Sequence, residues 1–297
     1  MYDVIIVGGG AAGLSAALVL GRCRRTVLIC DTGRPRNAAA HRMHGYLGRD
    51  GTNPLEFLRM GRDEVAHYGV EFRDVEVTDA VRGDDGFEVL LADGTRLRSR
   101  RLMIATGVVD QLPEIEGVRE LYGSSVWHCP YCDGWEARDM PLAVYGRARH
   151  GFSLALGLLT WSKDLVLLSD GPLRLDRAQR ERLERHHIDV RTAKVVRLEG
   201  SDGQLERIHF ADGTSIERRG MFFSTGQRQV SELARSLGCR FNSKGTVVTT
   251  RTENTGIPGL YVVGDASHDV QFVIVAAAEG ARAAVMINTS FQEEEST

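Results

Sequence analysis

Short unbroken apolar runs alternate along this chain with glycine-rich turns and segments of helical period, the pattern of buried parallel strands joined through helices. Residues 3–7 (Asp-Val-Ile-Ile-Val) form one such run. The turn Gly8-Gly9-Gly10-Ala11-Ala12-Gly13 breaks it, residues 14–20 follow a helical period, and 26–29 form a second run that ends at Asp31. This predicts a βαβ unit. A second unit begins at Pro141: 142–145 is apolar, Gly146-Arg147-Ala148-Arg149-His150-Gly151 supplies the turn, 152–160 reads as helix, and the strand 165–168 ends near Asp170.

The chain also repeats itself. Residues 88–107 (EVLLADGTRLRSRRLMIATG) align without gaps to 207–226 (RIHFADGTSIERRGMFFSTG), each copy turning at Ala-Asp-Gly-Thr and ending in Thr-Gly. Two copies exclude a solenoid and indicate two related dinucleotide-type domains. After the second copy, a strand ends in Gly264-Asp265 and a helix is predicted over 271–288, with no counterpart after the first copy. The simplest topology nests the second domain in the first. The fold class expected is α/β, with two Rossmann-like, three-layer ββα domains: 1–112 plus 248–297, and an inserted 113–247. Residues 292–297, acidic and polar, read as a frayed tail.

Composition narrows the function classes. The 297 residues are 42% hydrophobic and 26% charged, with a formal charge of −3. The 37 basic and 40 acidic residues are interspersed, so no basic stripe marks a nucleic-acid partner. No basic leader with an apolar stretch opens the sequence, and its apolar windows are too short to span a bilayer, so a cytoplasmic protein without membrane contact is expected. Five cysteines, an odd number, argue against a structural disulfide framework. Cys23, Cys30 and Cys239 read as inert packing or loop thiols, and Arg100-Arg101 as solvated charges flanking a strand.

Three motifs carry chemistry. Gly8-x-Gly10-x-x-Gly13 between a strand and a helix is the dinucleotide fingerprint: tight turn, close backbone approach to a pyrophosphate, helix-on-strand packing, and a helix N-terminus that favours an anion. Asp31 lies where a carboxylate receives ribose hydroxyls. Gly146-x-Ala148-x-x-Gly151 is a poorer copy, since the Ala148 methyl restricts backbone approach. Arg147 and Arg149 there are phosphate contacts or solvated loop charges. Asp170, placed like Asp31, suits a ribose with free hydroxyls and repels a 2′-phosphate. His128-Cys129-Pro130-Tyr131-Cys132-Asp133-Gly134 holds two thiols that can close a disulfide and shuttle two electrons. Zinc would require a second ligand pair, which the sequence lacks. Asp133 is a proton donor and acceptor for the thiolate, or a turn residue before Gly134.

On these motifs the chain resembles the low-molecular-weight thioredoxin reductases among the pyridine nucleotide-disulfide oxidoreductases, essentially over its whole length. The resemblance implies FAD, with Gly8, Gly10, Ala11, Ala12, Gly13, Asp31 and Thr32 at its adenylate half. It implies Ala105-Thr106-Gly107 at a strand end, Gly264 and Asp265 at the ribityl chain and flavin-side phosphate, and Gln271-Phe272-Val273 near the isoalloxazine. Residues 41–50, with His44, would line the flavin. Cys132 would face the flavin and Cys129 would be the interchange thiol, with Asp133 managing the proton. The inserted domain would turn on hinges near 112–117 and 244–249, and a homodimer is implied.

Departures from the family bear on the electron donor. Gly-Arg-Ala-Arg-His-Gly and Leu-Ser-Asp-Gly stand where the family places an NADPH-binding turn and a cationic cluster for the 2′-phosphate. NADPH, NADH, ferredoxin and a dithiol all stay open as the electron donor, as does a second FAD held in the inserted domain. The partner expected is a thioredoxin-like protein or a small disulfide or dithiol. The alternative reactions are oxygen-dependent oxidation of a small dithiol and non-enzymatic redox sensing. Cys-Pro-Tyr-Cys and Gly134-Trp135-Glu136 are similar to the oxidase branch, whereas Asp133 after the second cysteine matches the reductases.

Overall fold

In the computed structural model, which describes residues 1–268 and 270–296, strand Tyr2–Val7 is buried from Val4 onward and runs parallel to Val27–Asp31 and Arg96–Ile104. Residues 4–7, 27–30 and, at the end of the third strand, 102–104 are apolar without alternation because both sheet faces are covered there. The seven-stranded sheet has the order Glu71–Asp74, Val27–Asp31, Tyr2–Val7, Arg96–Ile104, then the antiparallel Gly86–Leu91 and Val77–Gly83. Leu260–Val262 also pairs, in parallel, with Arg96–Ile104.

Helix Ala11–Arg22 covers one face. Its Ala16, Ala17 and Leu20 pack with Ala283, Ala284, Ile287 and Phe291 of helix Val273–Glu295 over Ile6 and Ile29. Small residues bring the two helices together: a Cβ on Gly280 would fall on the Ala12 carbonyl. On the opposite face Ile5, Leu28 and Leu102 meet Phe87, Val89, Leu233, Ala234, Cys239 and Val247.

The chain divides into two units, 1–38 with 45–109 and 228–297, and 39–44 with 110–227. The expected boundary at 247 therefore moves to 227/228. Residues 228–247 are short on regular structure, but Leu233, Ala234, Cys239 and Val247 complete the first unit's core. The expected hinge at 244–249 lies inside that unit.

The second unit has five parallel strands in the order Asp189–Arg191, Leu165–Leu168, Leu142–Gly146, Gly220–Ser224, Val126–Trp127. A three-stranded antiparallel sheet, Val195–Ser201, Gln204–Phe210 and Ser215–Glu217, stands beside it. The sequence repeat folds differently in its two copies. Arg96–Ile104 is one continuous strand, whereas its counterpart breaks after Glu217 and resumes at Gly220, where the Trp127 ring fills the space a Cβ would need.

Two further expectations are corrected. The tail is helical through Glu295, and Arg100 and Arg101 are not solvated. Both arginines pair with Glu294, and together with Arg25 they lie over the ring of the fully buried Phe291. Thr297 lies outside the described residues. Among the described residues no helix is long and apolar enough to cross a membrane.

Candidate active site

Cys129 and Cys132 form a disulfide, Cα to Cα 5.3 Å, across the single turn Pro130–Asp133. Proline opens this turn because its fixed φ suits a first helical position and its missing N–H costs nothing there. The Cys129 carbonyl accepts from the amides of Cys132 at 3.2 Å and Asp133 at 3.3 Å, so backbone bonds hold both sulfur-bearing residues on one turn. Gly134 closes it: a Cβ there would run into the Pro130 carbonyl and the Trp161 ring. Tyr131 meets the same ring edge-on at 5.5 Å.

Asp133 follows Cys132 directly. Burial pushes its carboxyl up to about 7, the Glu136 carboxylate adds to the rise, and His44 opposes it. His44 Nε2 stands 3.5 Å from Glu136 Oε1. His44, expected near the flavin, thus belongs to the second unit and faces the acidic side of the disulfide segment. The motif Gly134-Trp135-Glu136 gave no sign of this carboxylate's influence on Asp133. His128, before Cys129, is fixed by the Tyr122 hydroxyl at 3.0 Å and stands 3.6 Å from Asp110. The other cysteines are separate: Cys23 is exposed, while Cys30 and Cys239 are buried, and burial pushes the Cys30 thiol up to about 11. Among the described residues no cluster of three His, Cys, Asp or Glu could hold a metal ion.

In the first unit the carboxyl ends of the strands gather the expected dinucleotide residues, where ligands of open α/β sheets bind. The Gly8 amide donates to the Cys30 carbonyl at 2.8 Å, that of Ala105 to Val7 at 2.8 Å, and that of Val263 to Ile104 at 3.0 Å. Gly8 has φ +110° and packs on the Ala105 carbonyl, and Gly13 packs on the Gly8 carbonyl, so neither position has room for a side chain. Over Gly10 the space is open, and no side chain caps the helix that begins at Ala11. The cradle a phosphate requires is therefore present. Thr106 Oγ1 is buried with no hydrogen-bond partner among the described residues.

Two cations that motif reading did not find tie this region together. Arg62 holds Asp31 at 2.7 Å and Asp74 at 3.0 Å, orienting the carboxylate expected at the ribose. Arg36 donates to Asp265 at 2.8 Å and to Gln271 at 2.6 Å. Phe272 caps helix Val273–Glu295 and lies against Gly45. Thr32 is exposed at the rim, while Ala11 and Ala12 lie in the first turn of their helix.

The second glycine turn is built differently. Gly151 packs against the Gly146 carbonyl, but Ala148 occupies a left-handed conformation at φ +48°. Asp170 is engaged: Arg147 donates to it at 2.7 Å, the Tyr145 hydroxyl at 3.2 Å and the Val195 amide at 3.1 Å. Its side chain is only 7% exposed. Arg147 is a largely exposed loop charge, its side chain 72% exposed, and it ion-pairs with the carboxylate expected to receive a ribose.

The family described as pyridine nucleotide-disulphide oxidoreductase matches residues 2–280. A "probable thioredoxin reductase" of Arthroderma benhamiae is 31% identical over 99% of this chain and 81% of its own length. Among solved structures, HlmI is 39% identical with a TM-score of 0.94, over 99% of this chain and 93% of its own. An oxidoreductase from Agrobacterium tumefaciens is 35% identical with a TM-score of 0.90, over 98% of both chains.

Proposed function

The chain belongs to the pyridine nucleotide-disulphide oxidoreductase family and is a thioredoxin reductase-like enzyme; on that premise we propose that it uses FAD and the Cys129/Cys132 pair to reduce a thioredoxin-like protein or a small disulfide. One observation carries this reading: a disulfide on a single helical turn, followed at once by a carboxyl held near 7. A group with that pKa both takes and gives protons at neutral pH.

In the reduced enzyme the Cys129 thiolate attacks a sulfur of the partner disulfide. A mixed disulfide forms and the other partner sulfur leaves as a thiolate. Cys132, deprotonated by Asp133, then attacks Cys129 Sγ, closes the intramolecular disulfide and releases the second partner thiolate. Asp133 returns its proton to a departing thiolate, and the partner has gained two electrons. FAD, when bound, supplies that electron pair to the resting disulfide. The residues fit it: the cradle around Gly8, Gly10 and Gly13 would take the pyrophosphate, Asp31 the ribose, Thr106 a ligand oxygen, and Asp265 with Arg36 the ribityl side. Three cysteines outside the pair suit the reducing cytoplasm. Exposed Ile274, Val285 and Met286 on helix Val273–Glu295 suit a homodimer contact.

A second reading, oxygen-dependent oxidation of a small dithiol, is favoured by the second glycine turn, where Ala148 stands at φ +48° in place of the second glycine and so departs from the open cradle around Gly10. In that reaction the dithiol loses two electrons and two protons, the enzyme disulfide is restored, and oxygen becomes peroxide. Anaerobic titration of the flavoprotein with NADH, NADPH and dithiothreitol tests both. Bleaching by a nicotinamide, with disulfide turnover lost in Cys129→Ser and in Cys132→Ser, supports the reductase. Bleaching by dithiothreitol alone, with peroxide formed in air, replaces it with the oxidase, and purified protein without FAD refutes both.

A further inference from the structure

Beside the turn Gly264–Ala266 lie four ionisable side chains that the disulfide chemistry does not use. Glu253 and Glu279 are buried, 0% and 3% exposed. Glu279 Oε2 accepts the Gly264 amide at 2.8 Å, and its Oε1 lies 3.6 Å from His268 Nε2. His268 Nε2 also meets Glu253 Oε2 at 2.9 Å, and Arg282 donates to Glu253 from Nε at 3.1 Å and from Nη2. Burying a carboxylate costs free energy that a neutral acceptor for one amide would not incur. The amide it holds, however, belongs to a constrained turn. Gly264 has φ +72°, and a Cβ there would stand 3.1 Å from Ala12 Cβ, on the helix that opens behind the glycine cradle. Asp265 is the next residue.

We propose that Glu279 is a positioning residue of the dinucleotide site: its ionised carboxylate, through the Gly264 amide, seats this turn against Ala12 and so sets Asp265 for the ligand. The inference rests on the FAD reading and adds to it a residue that touches no ligand. Charge matters because a charge-assisted hydrogen bond is about twice as strong as a neutral one. His268, the Gly264 amide and Arg282 favour the charged form, Glu253 disfavours it, and burial dominates, pushing the carboxyl up to about 6. Asp265 and Arg36, on the same face of the site, are paired with each other. A ligand that requires the ionised form lowers this pKa on binding. Affinity is then full above about pH 6 and falls as pH drops through that value.

The test dilutes full-chain flavoprotein to equilibrium between pH 5 and 8 and reads released FAD by its fluorescence. Wild type should lose affinity about fivefold toward pH 5, the ratio expected between a charge-assisted and a neutral hydrogen bond. Glu279→Gln should bind weakly at every pH, with a flat profile. His268→Gln removes the imidazole that draws the Glu279 pKa down, so its inflection should move to higher pH; this arm decides the matter if Glu279→Gln does not fold. A flat wild-type profile, a Glu279→Gln profile that keeps the wild-type inflection, or an unmoved inflection in His268→Gln overturns the inference and leaves the FAD reading intact. Failure of wild type to hold FAD at any pH overturns both.

Discussion

At Asp133, burial and the Glu136 carboxylate raise the pKa to about 7 against the pull of His44, and two measurable consequences follow. The folded value lies above the ordinary carboxylate range, so the neutral form fits the fold better. The stability this contributes is complete below about pH 4 and is lost as pH rises toward 7. Asp133→Asn should therefore gain in melting temperature over wild type as pH goes from 4 to 8. Over the same range its thiol-disulfide exchange should be slower by roughly 10²–10⁴-fold, the usual worth of a placed acid-base group. A variant as fast as wild type would remove Asp133 from proton transfer. His44→Gln withdraws the opposing cation, so the inflection of exchange rate against pH should move upward. The cysteine spacing and the following carboxylate were legible in the sequence because they are local. The tuning was not, since His44 arrives from far upstream, and neither was the Arg147 ion pair on Asp170, which spans 23 residues.

The C-terminal helix shows how an element can hide in its own composition. Gln292 to Glu295 read as a solvated tail because nothing local demands a helix of so polar a run. The demand comes from cations of the neighbouring strand and loop: Arg100 and Arg101 take Glu294, Arg25 takes Glu295 at 2.6 Å, and all three guanidinium groups cover Phe291. The buried ring supplies most of the stabilisation, since exposed ion pairs contribute little and are screened by salt. Phe291→Ala should cost about 3–5 kcal/mol in chemical denaturation, the range for deleting a buried aromatic side chain. Glu294→Gln should change stability far less, and less again in high salt. Equal losses in the two variants would show that the ion pairs, rather than the ring, secure the helix. The strand-turn-helix units were legible for the opposite reason: unbroken apolar runs and glycine turns at 8–13 and 146–151 state their geometry locally.

At the scale of the whole molecule the first unit is assembled from three stretches of chain, and nesting was legible because the last strand and helix lack a counterpart after the first hairpin copy. The placement of the second crossing was not. Residues 228–247 carry one short helix, Leu233–Ser236, and no strong period, so nothing in their sequence assigns them to either core. Packing does, through Leu233, Ala234, Cys239 and Val247 against Val77, Ala80 and Leu260. The unit's two open ends also lie side by side, with the Val230 amide donating to the Gly107 carbonyl at 3.2 Å. Replacing 110–227 by a few Gly-Ser residues should therefore leave a chain that unfolds in one cooperative transition and keeps the cradle around Gly8 to Gly13. Replacing 113–247 removes four buried side chains from the sheet's second face, Leu233 alone costing about 2–5 kcal/mol. Against a total of about 5–15 kcal/mol for a domain, that chain should be molten or insoluble. Urea denaturation followed by far-UV circular dichroism separates the outcomes. Cooperative folding of the second deletion, or failure of the first, would return residues 228–247 to the inserted unit.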